Sequence, residues 1–142
     1  MIKFRLSAII LVLGFVSASY ATEDFIKVVP GNYSFTTTTR SNMNPNPKIE
    51  TEDDCIKEDS VNIKEFLPDP DSCSTSNINK SGNSLSFDIK CSGGKMPPMK
   101  GKAEISATSS TVESHYKIVG SFQGQEFSVK SDSKGQRTGD CK

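Results

Sequence analysis

Ser84-Leu85-Ser86-Phe87-Asp88-Ile89-Lys90-Cys91 alternates without a break: Leu85, Phe87, Ile89 and Cys91 fall on one side of an extended chain, and Ser86, Asp88 and Lys90 on the other. Such a strand is apolar on one face and solvated on the other, which is how an antiparallel sheet is built. Ser81-Gly82-Asn83 just before it reads as a tight turn, so Cys73 to Lys80 returns alongside as its hairpin partner. After a loop with Gly93, Gly94, Pro97 and Pro98, Lys100 to Thr108 directs Ala103, Ile105 and Ala107 inward. Ser109-Ser110 turns the chain. Val112, Ser114, Tyr116 and Ile118 then share a face on a strand that runs on towards Phe122, and Gln123-Gly124-Gln125 turns it back into a last strand carrying Phe127 and Val129.

Upstream, Tyr33, Phe35, Thr37 and Thr39 alternate with Ser34, Thr36 and Thr38, a mixture of aromatic and β-branched residues that suits a half-buried pleated surface. Ser41 to Pro47 reads as a loop, and Lys48 to Cys55 as an extended return beside the first strand. Ile56, Ile63, Phe66 and Leu67 recur at near-helical spacing and predict one short amphipathic α-helix ended by Pro68 and Pro70. The fold class expected is therefore mainly β: a curved antiparallel meander sheet, open or partly closed as a barrel, with one short α-helix and two disulfides. One short helix covers little of an apolar sheet face, so either the sheet curls on itself or a trough stays open.

The first 21 residues have the form of a signal peptide. Basic Lys3 and Arg5 precede an apolar run from Leu6 to Val16, and Ser17-Ala18-Ser19-Tyr20-Ala21 offers small residues at Ser19 and Ala21 for cleavage before Thr22. That run is shorter than the roughly 20 residues needed to span a bilayer, and no second one follows, so no transmembrane anchor is expected. Residues 22–142 then form a single domain by length. The whole chain has 17 basic and 17 acidic residues, and the leader holds Lys3 and Arg5, which leaves 15 against 17 and a mature charge of −2. Nothing in that balance points to nucleic acid or to an anionic membrane surface.

Cys55, Cys73, Cys91 and Cys141 all follow the cleavage point, and an even count in a small exported chain predicts a disulfide framework, hence a periplasmic or extracellular location. Of the three pairings, Cys55 with Cys73 is favoured because these residues bracket the expected helix, and Cys91 with Cys141 would fasten the terminus to a strand end.

Pro30-Gly31 before a threonine-rich strand, the lone Cys55 and Cys73, the run Ser81 to Phe87, Cys91-Ser92-Gly93-Gly94 with Met96 and Met99, and the terminal Gly139-Asp140-Cys141 together resemble an exported bacterial family, domain of unknown function 3617. Tyr33 stands where such relatives usually place Trp, a change that keeps an amphipathic aromatic. The resemblance spans nearly all of the mature chain and implies an envelope location. It carries no activity and no catalytic residues.

No reaction centre is legible. His115 is a lone imidazole beside Glu113 and Lys117 with no nucleophile in view, and is read as a solvated side chain. The Thr36 to Thr39 run is first of all β-propensity. Asp53, Asp54, Glu58 and Asp59 do not match a calcium loop. Met96 and Met99, in Lys95-Met96-Pro97-Pro98-Met99-Lys100, are soft ligands suited to Cu(I), but only Met43 remains to add to them, and a Met-Pro loop over an apolar surface is the simpler account. The chain is expected to be no enzyme and to need no metal or cofactor. The function expected is a binding module that holds a hydrophobic small molecule or lipid against the apolar face, with Phe87, Ile105, Tyr116, Ile118, Phe127, Met96 and Met99 facing it. The alternative is a structural or interaction module that meets an envelope protein, strand addition at an open edge being one route.

Overall fold

The computed structural model describes residues 24–94 and 96–142, so the expected leader lies outside the described residues. The elements are β1 (Phe25–Lys27), β2 (Gly31–Ser41), β3 (Asn44–Ile56), β4 (Ser60–Asn62), a 3-10 turn (Ile63–Phe66), β5 (Cys73–Ser81), β6 (Ser84–Gly93), β7 (Met96–Ala107), β8 (Thr111–Phe122) and β9 (Gln125–Gly139). Seven of the strands form one antiparallel sheet in the order β3-β2-β9-β8-β7-β6-β5, and β1 pairs with β4 in a small second sheet. The large sheet is open, with β3 and β5 as its edges.

The hairpins expected from β5 to β9 are present. Gly82 takes the positive φ of 60° that a two-residue connection demands at its first central position, and Ser81 pairs with Ser84 across it. The pairing that organises the molecule is between the first and last long strands. β9 runs far past Val129, to Gly139, and inserts between β8 and β2, with Phe35 opposite Gly135. A Cβ at Gly135 would collide with the Phe35 ring, so glycine is what lets this ring lie across the neighbouring strand.

Four expectations require correction. Residues 56–67 are not an α-helix. Ser60–Asn62 takes ladder bonds from β1, Pro68 and Pro70 remove the donors a longer helix would need, and a single 3-10 turn fits between them. Asn62 caps that turn, its side chain accepting from the Lys64 N–H at 2.9 Å while its own N–H donates to Glu65 Oε1 at 3.3 Å. The disulfides are Cys55–Cys141 and Cys73–Cys91. Cys73 and Cys91 face each other across the β5–β6 ladder with Cα atoms 4.0 Å apart. Asn32 pairs with both Cys55 and Gly139, which brings Cys141 to the end of β3. The segments around Pro45 and Pro47, and around Pro97 and Pro98, lie within β3 and β7 rather than in loops. Finally, the sheet neither closes nor leaves its whole apolar face open, because β1, β4 and the turn cover part of it.

The core lies under this cap. Ile26, Val28, Val61, Ile63 and Leu67 pack on Tyr33, Leu85, Phe87, Ile89, Ala103, Ile105 and Val112. Two tyrosines tie cap to sheet: Tyr33 donates its hydroxyl to the Val29 carbonyl and Tyr116 to the Phe66 carbonyl, each at 2.7 Å. Asn83 in the β5–β6 turn adds a third tie, accepting from the Lys27 N–H at 2.8 Å and donating to the Lys27 carbonyl at 2.7 Å.

Candidate functional site

Strand alternation and register sort the sheet into two faces. On the inner face, successive cross-strand rows change character along the strands. Val112, Ser114 and Ile105 lie beneath the cap, and Tyr116 and Met99 pack on its margin. Ile118, Val129 and Phe127 are half-buried and lie outside the packed core, at the end of the sheet where the β2–β3, β6–β7 and β8–β9 connections meet. Beside this strip, β2 and β9 present hydroxyls, with Thr37 Oγ1 donating to Ser133 Oγ at 2.8 Å and Thr39 and Ser131 facing each other at 3.4 Å. A recess of about 370 Å³ opens where the cap meets the sheet, between Phe35 and Val112 on one side and Val61 and Phe66 on the other, with Asp54, Glu58 and Glu65 at its mouth.

Of the seven residues expected to face a ligand, the structure therefore withdraws two. Phe87 is 2% exposed and Ile105 is 0% exposed, because the cap occupies the space in front of them. Tyr116 is held by its bond to Phe66, and burial pushes its phenol pKa well above the ordinary value. Ile118 and Phe127 remain available. Met96 and Met99 are three residues apart, yet a register shift between Cys91 and Gly93 pairs both with inner-face positions. Met43 sits on the β2–β3 connection, three strand spacings or about 14 Å from β7. The three thioethers thus do not converge. Among the described residues, no group of three or more His, Cys, Asp or Glu is placed to hold a metal ion.

The outer face carries a feature that the sequence alone does not display. Asp88, Lys102, Lys117, Lys130 and Arg40 stand directly opposite one another across β6, β7, β8, β9 and β2. The next row towards the connections holds Lys90, Lys100, Val119 and Ser128. Like charges in register destabilise a sheet, so counter-ions matter. Lys102 bonds Asp88 at 2.8 Å, while Asp132 takes His115 Nδ1 at 2.8 Å, Arg40 at 3.3 Å and Lys130 at 3.7 Å. The His115 hydrogen bond, opposed by some burial and helped by Lys130 and Arg40, holds the Asp132 carboxyl below the usual carboxylate range. Hydrogen bonds from Lys102 and then Asn77 lower Asp88 in the same way. Lys90, Lys100 and Lys117 have no ion pair among the described residues. Two depressions, of about 480 and 580 Å³, adjoin along this face and share Lys100 and Val119 in their walls. His115 is exposed, as read from the sequence, and is engaged by Asp132.

The cationic row escapes inspection of the sequence because Arg40, Lys102, Lys117 and Lys130 are scattered over ninety positions and meet only through register. Every one of them is an outward residue of an alternating strand, which is the one signal that points to it.

Fold and site together define a disulfide-bonded, open antiparallel sheet with a small cap, a scaffold that offers surfaces. The chain belongs to the family described as protein of unknown function (DUF3617), whose pattern matches residues 28–141. No curated protein and no solved structure matches it. Among the described residues no helix is long and apolar enough to cross a membrane, and the two disulfides suit an oxidising, exported setting.

Proposed function

We propose that this protein is an exported, non-enzymatic binding module that takes a lipid-like ligand on the uncapped end of its inner sheet face. The observation that carries this is the division of that face. Phe87 and Ile105 are sealed by the cap, whereas Ile118, Val129 and Phe127 continue the same apolar surface beyond it. An apolar strip bordered by the hydroxyls of Thr39, Ser41 and Ser131 suits an acyl chain whose polar end lies on the hydroxyl side. Strand addition finds less support. The β3 edge carries Pro45, Pro47 and a run of acidic side chains, and the β5 edge is bulged between Ser76 and Asn79, both devices that discourage pairing with another strand.

The test is native mass spectrometry of the mature protein purified from its own cell envelope, followed by organic extraction. A stoichiometric lipid-like mass that Ile118→Asp removes supports the ligand. A bare protein mass at full occupancy counts against it.

A further inference from the structure

We infer that the end of the sheet bearing the β2–β3, β6–β7 and β8–β9 connections docks this protein onto an anionic lipid bilayer. This goes beyond a ligand on the inner face and stands without it. Two independent observations meet at that end. The first is exposed apolar surface at the tips: Met43 is 62% exposed and Phe122 56% exposed, with Pro98 exposed and Met96 and Pro97 half-buried on β7, on the other side of β8 from Met43. Large apolar side chains at hairpin tips gain nothing from water, and interfacial burial of such groups is what anchors a peripheral protein. The β2–β3 tip is also fastened to β9. Asn42 of the β2–β3 connection donates its N–H to the Ser128 carbonyl at 3.2 Å, and its side-chain oxygen accepts from the Ser128 N–H at 2.8 Å.

The second observation is the position of the cations. Counting back along β8 from Phe122, the row of Lys90, Lys100 and Val119 lies three residues away, about 10 Å, and the row of Arg40, Lys102, Lys117 and Lys130 five residues away, about 16 Å. With the strands end-on to the bilayer, tips buried about 5–10 Å into the interface would therefore set the first row among lipid phosphates and the second within a Debye length of them. Lys90, Lys100 and Lys117 have no ion pair among the described residues to compete with lipid. The acidic side chains near this end are Asp88, which shares the second row and holds Lys102, Asp132 one row further back, which holds Arg40 and Lys130, Glu126 at the start of β9, and Asp69 and Asp71 before β5. The longer acidic run, Glu50 to Asp54, lies on β3 at the sheet edge. The two rows behind the apolar tips thus carry six cations, Arg40, Lys90, Lys100, Lys102, Lys117 and Lys130, against one carboxylate, Asp88, and that complementarity selects an anionic bilayer over a neutral one.

The chain contains no tryptophan, so Phe122→Trp installs a single reporter at the tip. The mature, disulfide-bonded protein is mixed with vesicles of phosphatidylethanolamine and phosphatidylglycerol, and separately with vesicles of phosphatidylcholine. Docking predicts a blue shift of the introduced tryptophan's emission and co-sedimentation with the phosphatidylglycerol vesicles at low salt, at least tenfold weaker on phosphatidylcholine and weakened as salt is raised. The exposed double variants Lys100→Glu/Lys117→Glu and Met43→Ser/Phe122→Ser should each lower partitioning about tenfold or more while leaving the thermal midpoint near that of the parent. Absence of binding to either vesicle, equal binding to both, or unchanged binding by both variants overturns the inference. So does loss of binding in Ile118→Asp with Lys100→Glu/Lys117→Glu unaffected, which would mean lipid capture on the inner strip rather than docking.

Discussion

Tyr116 shows how one side chain can be read twice. Its alternation with Ser114 and Ile118 places it inward, and that much is visible in the sequence. Its hydroxyl bond to the Phe66 carbonyl depends on a segment fifty residues away. Because burial raises the phenol pKa, the folded protein keeps a proton that the unfolded chain loses near pH 10. Stability from this group is complete below about pH 10 and declines as pH rises beyond it. Urea unfolding at pH 7 should find Tyr116→Phe about 1 kcal/mol less stable, for the lost hydrogen bond. Between pH 9 and 11 the parent should lose stability more steeply than Tyr116→Phe, and parallel slopes would show a phenol that ionises freely in the fold. The ligand-facing assignments of Phe87 and Ile105 failed for a related reason: inwardness is set by alternation, but what lies in front of an inward residue is not.

Among the elements, hairpins are the most legible, because turn and strand signals lie within a few residues of each other. The β5–β6 hairpin even contains a disulfide signal that goes unused when the cysteines are assigned around a helix. Counting outward from the Ser81–Ser84 pair brings Cys73 within one residue of Cys91, and the bulge between Ser76 and Asn79, with Asn77 at a φ of 51°, supplies the missing step. The β8–β9 connection is strained in a correctable way. Gln123 and Gly124 both have positive φ, 51° and 77°, a conformation that asparagine tolerates better than glutamine. Gln123→Asn should therefore raise stability by somewhat less than about 1 kcal/mol, read as a higher urea midpoint at an unchanged slope. The expected helix at 56–67 fails at this scale too. Its apolar spacing is real, since Ile63 and Leu67 are buried, but the same spacing serves a chain that crosses the inner face as a short strand and a single turn.

For the molecule as a whole, the decisive contact is β2 against β9, which joins segments near the two ends of the described chain. The Cys55–Cys141 bridge locks that closure across 86 residues of sequence, against 18 for Cys73–Cys91. In the chain-entropy description the long loop is worth about 4.5 kcal/mol and the short one about 3 kcal/mol. Cys55→Ala/Cys141→Ala should accordingly cost more in urea unfolding than Cys73→Ala/Cys91→Ala, and the reverse order would mean that β9 holds its place without the bridge. By itself the sequence determined the mainly β character, the hairpins from β5 to β9, the family and the two-faced nature of the strands from β6 to β9, because each rests on alternation, turn residues or composition within a short stretch. Only the tertiary structure decided the cysteine pairing, the cap over Phe87 and Ile105, and the meeting of Arg40, Lys102, Lys117 and Lys130 in one row. Those depend on register between segments far apart in the chain, where a shift of a single residue turns a side chain to the other face, and no local pattern encodes which distant strand will lie alongside.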